Sequence, residues 1–68
     1  MDLVTKIVNN IDFRRDKKGF TVDKLSKVAE IPMSTIVKIR QKGVKDIRVS
    51  TLIALAKALD CTLDDLVK

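Results

Sequence analysis

The sequence predicts an all-α fold, a compact bundle of five short helices. Three observations predict it. The chain has 68 residues, the size of one small domain. Two glycines and one proline leave too few turn residues for a set of short strands. The apolar residues recur at i, i+3 and i+4 rather than in alternation. Residues 1–68 read as a single domain, without internal repeat, low-complexity segment or linker. A chain this short buries only about 60% of its unfolded surface, so the core must be small, and 46% hydrophobic content is enough to fill it.

The first helix is expected from residue 2 to about 17, with Leu3, Ile7, Val8 and Ile11 at helical spacing. Phe13 and Phe20, the only aromatics, are expected to cap the core near its end, and Gly19 fits a left-handed stop. Arg14, Arg15, Lys17 and Lys18 complement the helix dipole there, or add contacts to phosphates. Thr21 is placed to cap a second helix, Val22 to Ala29, whose apolar positions are Val22, Leu25, Val28 and Ala29. A third helix is expected from Pro32 or Met33 to Gln41, turning Ile36 and Ile39 inward, with Gly43 as its stop.

A connector from Val44 to Val49 then leads to a fourth helix, beginning near Arg48 to Ser50 and ending at about Leu59. Leu52, Leu55, Ala56 and Leu59 form its core stripe, and Ala54 and Ala58 allow close helix contact. Thr62 opens a fifth helix with Asp64 and Asp65 in its first turn, as capping and the dipole both favour. Leu63, Leu66 and Val67 either close the core or form a partner surface.

The stretch from about 21 to 43 organises the rest: two short helices joined by a tight turn, each with one apolar face. Leu25, Ser26, Ala29 and Ile31, then Ser34-Thr35-Ile36 and Ile39, ending at Gly43, resemble the helix-turn-helix of the lambda-repressor/Cro family, also called the XRE family. Downstream, STLIALAKALDCTLDDL (Ser50 to Leu66) resembles that family's last two helices, so the resemblance covers nearly the whole chain. It implies a lambda-repressor-like five-helix bundle whose third helix enters a DNA major groove.

Three positions depart from the family's pattern. Glu30 stands where a glycine is usual in the turn, and a left-handed backbone there costs a residue with a Cβ on the order of 1 kcal/mol. Val22 replaces a glutamine that serves as a phosphate clamp. The family pairs an arginine late in the first helix with a glutamate near the end of the third; here those positions hold Arg15 and Arg40. Two guanidiniums cannot pair, so Arg40 is expected to turn toward Asp12 or Asp16, or toward solvent and phosphate.

The net charge is +5, from 14 basic and 9 acidic residues. Residues 33–48 hold Lys38, Arg40, Lys42, Lys45 and Arg48 against one acid, Asp46, whereas residues 49–68 hold Lys57 and Lys68 against Asp60, Asp64 and Asp65. A basic concentration of this kind suits a polyanion partner, here double-stranded DNA; taken alone it is equally a solvated surface.

By the resemblance, Met33, Ser34 and Lys38 match the main base-reading positions, with Val37 and Gln41 also facing the groove. Lys38 can donate to guanine O6 or N7, Gln41 can pair with adenine or a phosphate, and Val37 or Met33 can pack on a thymine methyl. Each has a plainer alternative: Met33 folded onto the core, Gln41 a solvated helix end, Ser34 a local cap. Thr21 and the N–H groups of the helix it opens can grip a phosphate. Lys42, the Gly43 amide, Lys45 and Arg48 suit phosphates rather than bases.

Enzyme readings find little support. The chain has no histidine, no glycine-rich phosphate loop and no metal-ligand cluster, so no cofactor, metal or small-molecule ligand is expected. Asp64 and Asp65 are neighbours and point about 100° apart on a helix, which makes them first-turn acids rather than a catalytic pair. Cys61 is alone, so it forms no internal disulfide, and it reads as a small apolar residue in a helix–helix turn. No apolar run approaches the roughly 18 residues of a membrane span, and no signal segment is visible, so a cytoplasmic location is expected.

The resulting expectation is a sequence-specific transcriptional regulator, a prokaryotic or phage repressor on a near-palindromic operator. It would act as a weak homodimer, completed on DNA and joined through Asp60 to Lys68. The alternative is an antitoxin or helical interaction module whose main partner is another protein.

Overall fold

The computed structural model describes residues 2–41 and 47–68. Among them run five helices: α1 (Leu3–Lys18), α2 (Val22–Ala29), α3 (Met33–Arg40), α4 (Val49–Ala58) and α5 (Leu63–Val67). The predicted all-α five-helix bundle is what forms. Lys42 and Gly43, and Val44, Lys45 and Asp46 of the Val44 to Val49 connector, lie outside the described residues.

The core collects the inward stripe of every helix. Ile7, Val8 and Ile11 come from α1, Leu25 and Ala29 from α2, and Ile36 and Ile39 from α3. Leu55, Ala56, Ala58 and Leu59 come from α4 and its end, and Leu66 from α5. Ile47 joins them from just before α4. Packing brings α2 against both α3 and α4, and α5 against α1 and α4. Ser26, a buried polar residue of α2, turns its hydroxyl back on the Asp23 carbonyl at 2.8 Å, so its burial leaves no unpaired donor.

Three helices stop by one device. Gly19, Glu30 and Asp60 take left-handed φ values of 71°, 57° and 61°. At each, the left-handed residue and its successor return their N–H groups to the last turn. Gly19 and Phe20 donate to Asp16 and Arg15, Glu30 and Ile31 to Lys27 and Ser26, and Asp60 and Cys61 to Lys57 and Ala56. These bonds satisfy carbonyls that a helix end otherwise leaves orphaned. The residue after each stop, Phe20, Ile31 or Cys61, then packs partly buried against the core. That explains Cys61 structurally: it is the apolar plug after the stop of α4, and burial pushes its thiol pKa up despite the opposing pull of Arg14.

Of the two starts expected for α3 the structure takes Met33, with Pro32 before it as N-cap at ψ 138°. Some expectations need correction. Val28 is exposed, because the buried arc of α2 runs through Val22, Leu25, Ser26 and Ala29 and closes short of it. Phe13 does not cap the core; it is 58% exposed, and Lys17 Nζ sits 4.9 Å from its ring centroid. Phe20 does pack on the core, with Lys18 Nζ 5.3 Å from its ring. Leu66 is fully buried and is therefore no partner surface, whereas Leu63 remains partly exposed.

The short α5 is fastened at both ends. Thr62 and Asp65 form a reciprocal cap at its start, and Arg14 lies 3.5 Å from the Asp65 carboxylate. At its far end Asn10 Nδ2 donates to the Leu66 carbonyl at 2.8 Å.

Candidate nucleic-acid interface

The site is built by holding one side of α3 down. Ile36 and Ile39 are buried, which fixes the rotation of the helix about its axis. A residue step is about 100°, so Ser34, Val37, Lys38 and Gln41 come out on the opposite side. All four are exposed, as is Met33, and neither Met33 nor Ser34 is drawn into the core or into a cap. The outer row thus presents a thioether, a hydroxyl, an isopropyl group, an ammonium and an amide, a set able to meet base edges by hydrogen bond and by apolar contact.

The turn that sets the angle of α3 depends on Glu30. Its left-handed backbone ends α2, and Pro32 restarts the chain with its carbonyl accepting from the Thr35 and Ile36 N–H groups at 3.0 and 3.3 Å. Ile31 between them is pressed partly into the core.

Of the residues expected to meet phosphates, Thr21 and Arg48 lie among the described residues. Thr21 is exposed at the start of α2, its Oγ1 accepting from the Lys24 N–H at 3.1 Å. Arg48 is exposed and precedes α4 without a side-chain cap, so the dipole of that helix adds to its charge. Lys42, Gly43 and Lys45 lie outside the described residues. An open groove between α3 and the start of α4 contains both Lys38 and Arg48, together with Thr35, Ser50 and Thr51, and with Glu30 as its acid. The three hydroxyl residues were not singled out by the sequence pattern. The signal was present in the Ser50-Thr51 pair at a helix start next to Arg48.

Of the basic cluster at the end of α1, Arg15 turns inward, whereas Lys17 and Lys18 are exposed and Arg14 pairs with Asp65. Arg15 Nη1 donates to the Phe20 carbonyl at 2.7 Å and Nη2 lies 3.1 Å from Asp16, which locks the stop of α1. The end of α3 is tied to α1 as expected from the missing glutamate: Arg40 Nε donates to Asp12 Oδ1 at 3.1 Å. Asp12 is partly exposed, so this pair positions α3 more than it stabilises the fold. Among the described residues no group of acids, cysteines or histidines could hold a metal ion, and no helix is long and apolar enough to cross a membrane.

An all-α body that pins a short helix by two isoleucines and turns its basic, polar side outward defines a helix-turn-helix DNA-binding domain. The chain belongs to the Cro/C1-type HTH DNA-binding domain family, whose profile matches residues 10–68. It is also 36% identical over 62 residues to YozG of Bacillus subtilis (strain 168), described as an uncharacterized HTH-type transcriptional regulator. That match covers 91% of this chain and 74% of YozG. No solved structure matches the chain significantly.

Proposed function

We propose that this protein is a sequence-specific transcriptional regulator, a prokaryotic or phage repressor that lays α3 in the major groove of a near-palindromic operator. The observation that carries the reading is the two-sidedness of α3: Ile36 and Ile39 are buried while Ser34, Val37, Lys38 and Gln41 are open to solvent. Likeness to YozG, by its description an HTH-type transcriptional regulator, supports the regulatory role.

In this reading Met33, Ser34, Val37, Lys38 and Gln41 read bases. Lys38 donates to guanine, Gln41 pairs with adenine, and Val37 and Met33 cover thymine methyls. Thr21, Lys42, Gly43, Lys45 and Arg48 hold phosphates on either side and set the register. One domain covers half an operator, and two copies about 34 Å apart read the two halves. The surface joining them is the Asp60 to Lys68 segment, through the exposed Leu63 rather than the buried Leu66. The surface is small, so the dimer is weak in solution and completed on DNA.

Selection of bound fragments from random duplex tests this directly. The expected result is enrichment of an inverted repeat, with affinity falling on a log–log salt plot by about 0.9 per phosphate neutralised. A bound pool without common sequence, or affinity indifferent to salt, overturns it.

A further inference from the structure

Asp12 faces two guanidiniums with one oxygen. Its Oδ1 lies 3.1 Å from Arg40 Nε and 3.6 Å from Arg15 Nε. Only the first contact is a hydrogen bond. Arg15 Nε is buried and donates to nothing, although the rest of that guanidinium is occupied by the Phe20 carbonyl and Asp16. A buried donor without an acceptor is costly, and the acceptor that would satisfy it is an ångström-scale movement away, held by Arg40. Arg40 itself is the more exposed of the two, with 39% of its side chain open against 16% for Arg15.

From this competition we infer that Arg40 is a DNA-phosphate ligand held in reserve, and that Asp12 is the acceptor that exchanges it for Arg15. In the free protein Asp12 neutralises Arg40, a partly exposed residue in the last turn of α3. When α3 enters the groove, Arg40 passes to a backbone phosphate, and Asp12 turns to Arg15 Nε. The loss of one ion pair is offset by satisfaction of the buried donor, so the protein gains a phosphate contact without leaving a carboxylate unpaired. The inference rests on the groove reading above and adds to it a residue, Arg40, that resemblance alone would assign to an internal bridge.

The test uses the full chain and duplex affinity measured across a salt series, for wild type, Arg40→Gln, Arg40→Lys and Asp12→Asn, with thermal melting as a check of folding. Exchange predicts that Arg40→Gln lowers the steepness of the log–log salt dependence by about 0.9 and weakens all sequences alike, that Arg40→Lys keeps the wild-type steepness, and that Asp12→Asn binds more tightly with steepness unchanged. It also predicts that the Arg15 Nε–H resonance moves on adding DNA to wild type and not to Asp12→Asn. If Arg40 stays on Asp12 in the complex, Arg40→Gln keeps the wild-type steepness and Asp12→Asn binds more weakly; that result overturns the exchange while leaving the groove reading intact. A wild-type chain that does not bind duplex overturns both.

Discussion

Thr62 and Asp65 cap each other: the Thr62 hydroxyl accepts from the Asp65 N–H at 3.2 Å, and the Asp65 carboxylate accepts from the Thr62 N–H at 3.0 Å. Hydrogen bonding from Thr62 to the carboxylate, its backbone N–H first and its side chain second, with smaller pulls from Arg14 and Lys68, holds the Asp65 carboxyl below its ordinary range. A depressed native pKa contributes stability that is present above the ordinary aspartate value of about 3.9 and is lost as pH falls through the native value. Asp65→Asn should therefore lower the melting temperature at about pH 7, and the gap from wild type should close as the pH drops below about 3.9. Melting curves by circular dichroism across that range measure it; a gap of equal size at both ends would mean that the charge of Asp65 is irrelevant to the cap.

Glu30 should be the cheapest position to improve. Its left-handed backbone (φ 57°) carries a penalty on the order of 1 kcal/mol that glycine lacks. Glycine returns part of the gain by freeing the unfolded chain. Glu30→Gly is expected to stabilise by up to about 1 kcal/mol, a rise of a few degrees in a domain of this size. Glu30→Ala removes the same charge but keeps the Cβ, so it should give no such rise. Equal melting temperatures for the two variants would place the effect in charge rather than backbone.

Lys38 and Arg48 share the groove between α3 and α4, and they should fail differently. Lys38→Ala should relax preference at one base position, costing about 1–3 kcal/mol against the preferred base if the contact is bidentate. Arg48→Ala should weaken all sequences alike and reduce the salt dependence by about 0.9. Competition binding with single-base operator variants separates them, and a uniform loss with Lys38→Ala would remove that residue from base reading.

Leu63 and Leu66 lie on the same five-residue helix with opposite roles. Leu66→Ala should destabilise by roughly 2–5 kcal/mol, the range for emptying a filled core site. Leu63→Asp should leave melting nearly unchanged and abolish dimers in sedimentation on operator DNA. Intact dimers with Leu63→Asp would move the protomer contact elsewhere, to the exposed Val49 and Ile53 of α4 for instance.

Much of this architecture was legible because local signals agreed. Thr21 and Thr62 cap where their type predicts, Gly19 stops α1, and Arg40, which stands in the glutamate's place and cannot pair with Arg15, reaches Asp12. The misses have geometric causes. Val28 lies three residues from Leu25, a spacing that shares a helix face, but it falls about 60° outside the arc that α3 and α4 cover. Phe13 is two residues past Ile11, about 200° around α1, so periodicity itself argued against burying it and its aromatic character misled. The depth of Leu66 was beyond reach of pattern, because it depends on α5 folding back onto α1, a contact between residues 56 apart in sequence at Asn10 and Leu66.

The way α3 ends has a last implication. Gln41 at the end of α3 is right-handed, at φ −76°, as Leu59 is at the end of α4. The last turn of α3 is tethered to α1 by the side chains of Arg40 and Asp12. Backbone locks are indifferent to the surrounding electrolyte; a partly exposed tether is not, since mobile ions screen it over a Debye length of about 8 Å. If α3 is the helix that meets the duplex, one of its ties to the body is therefore sensitive to ionic conditions.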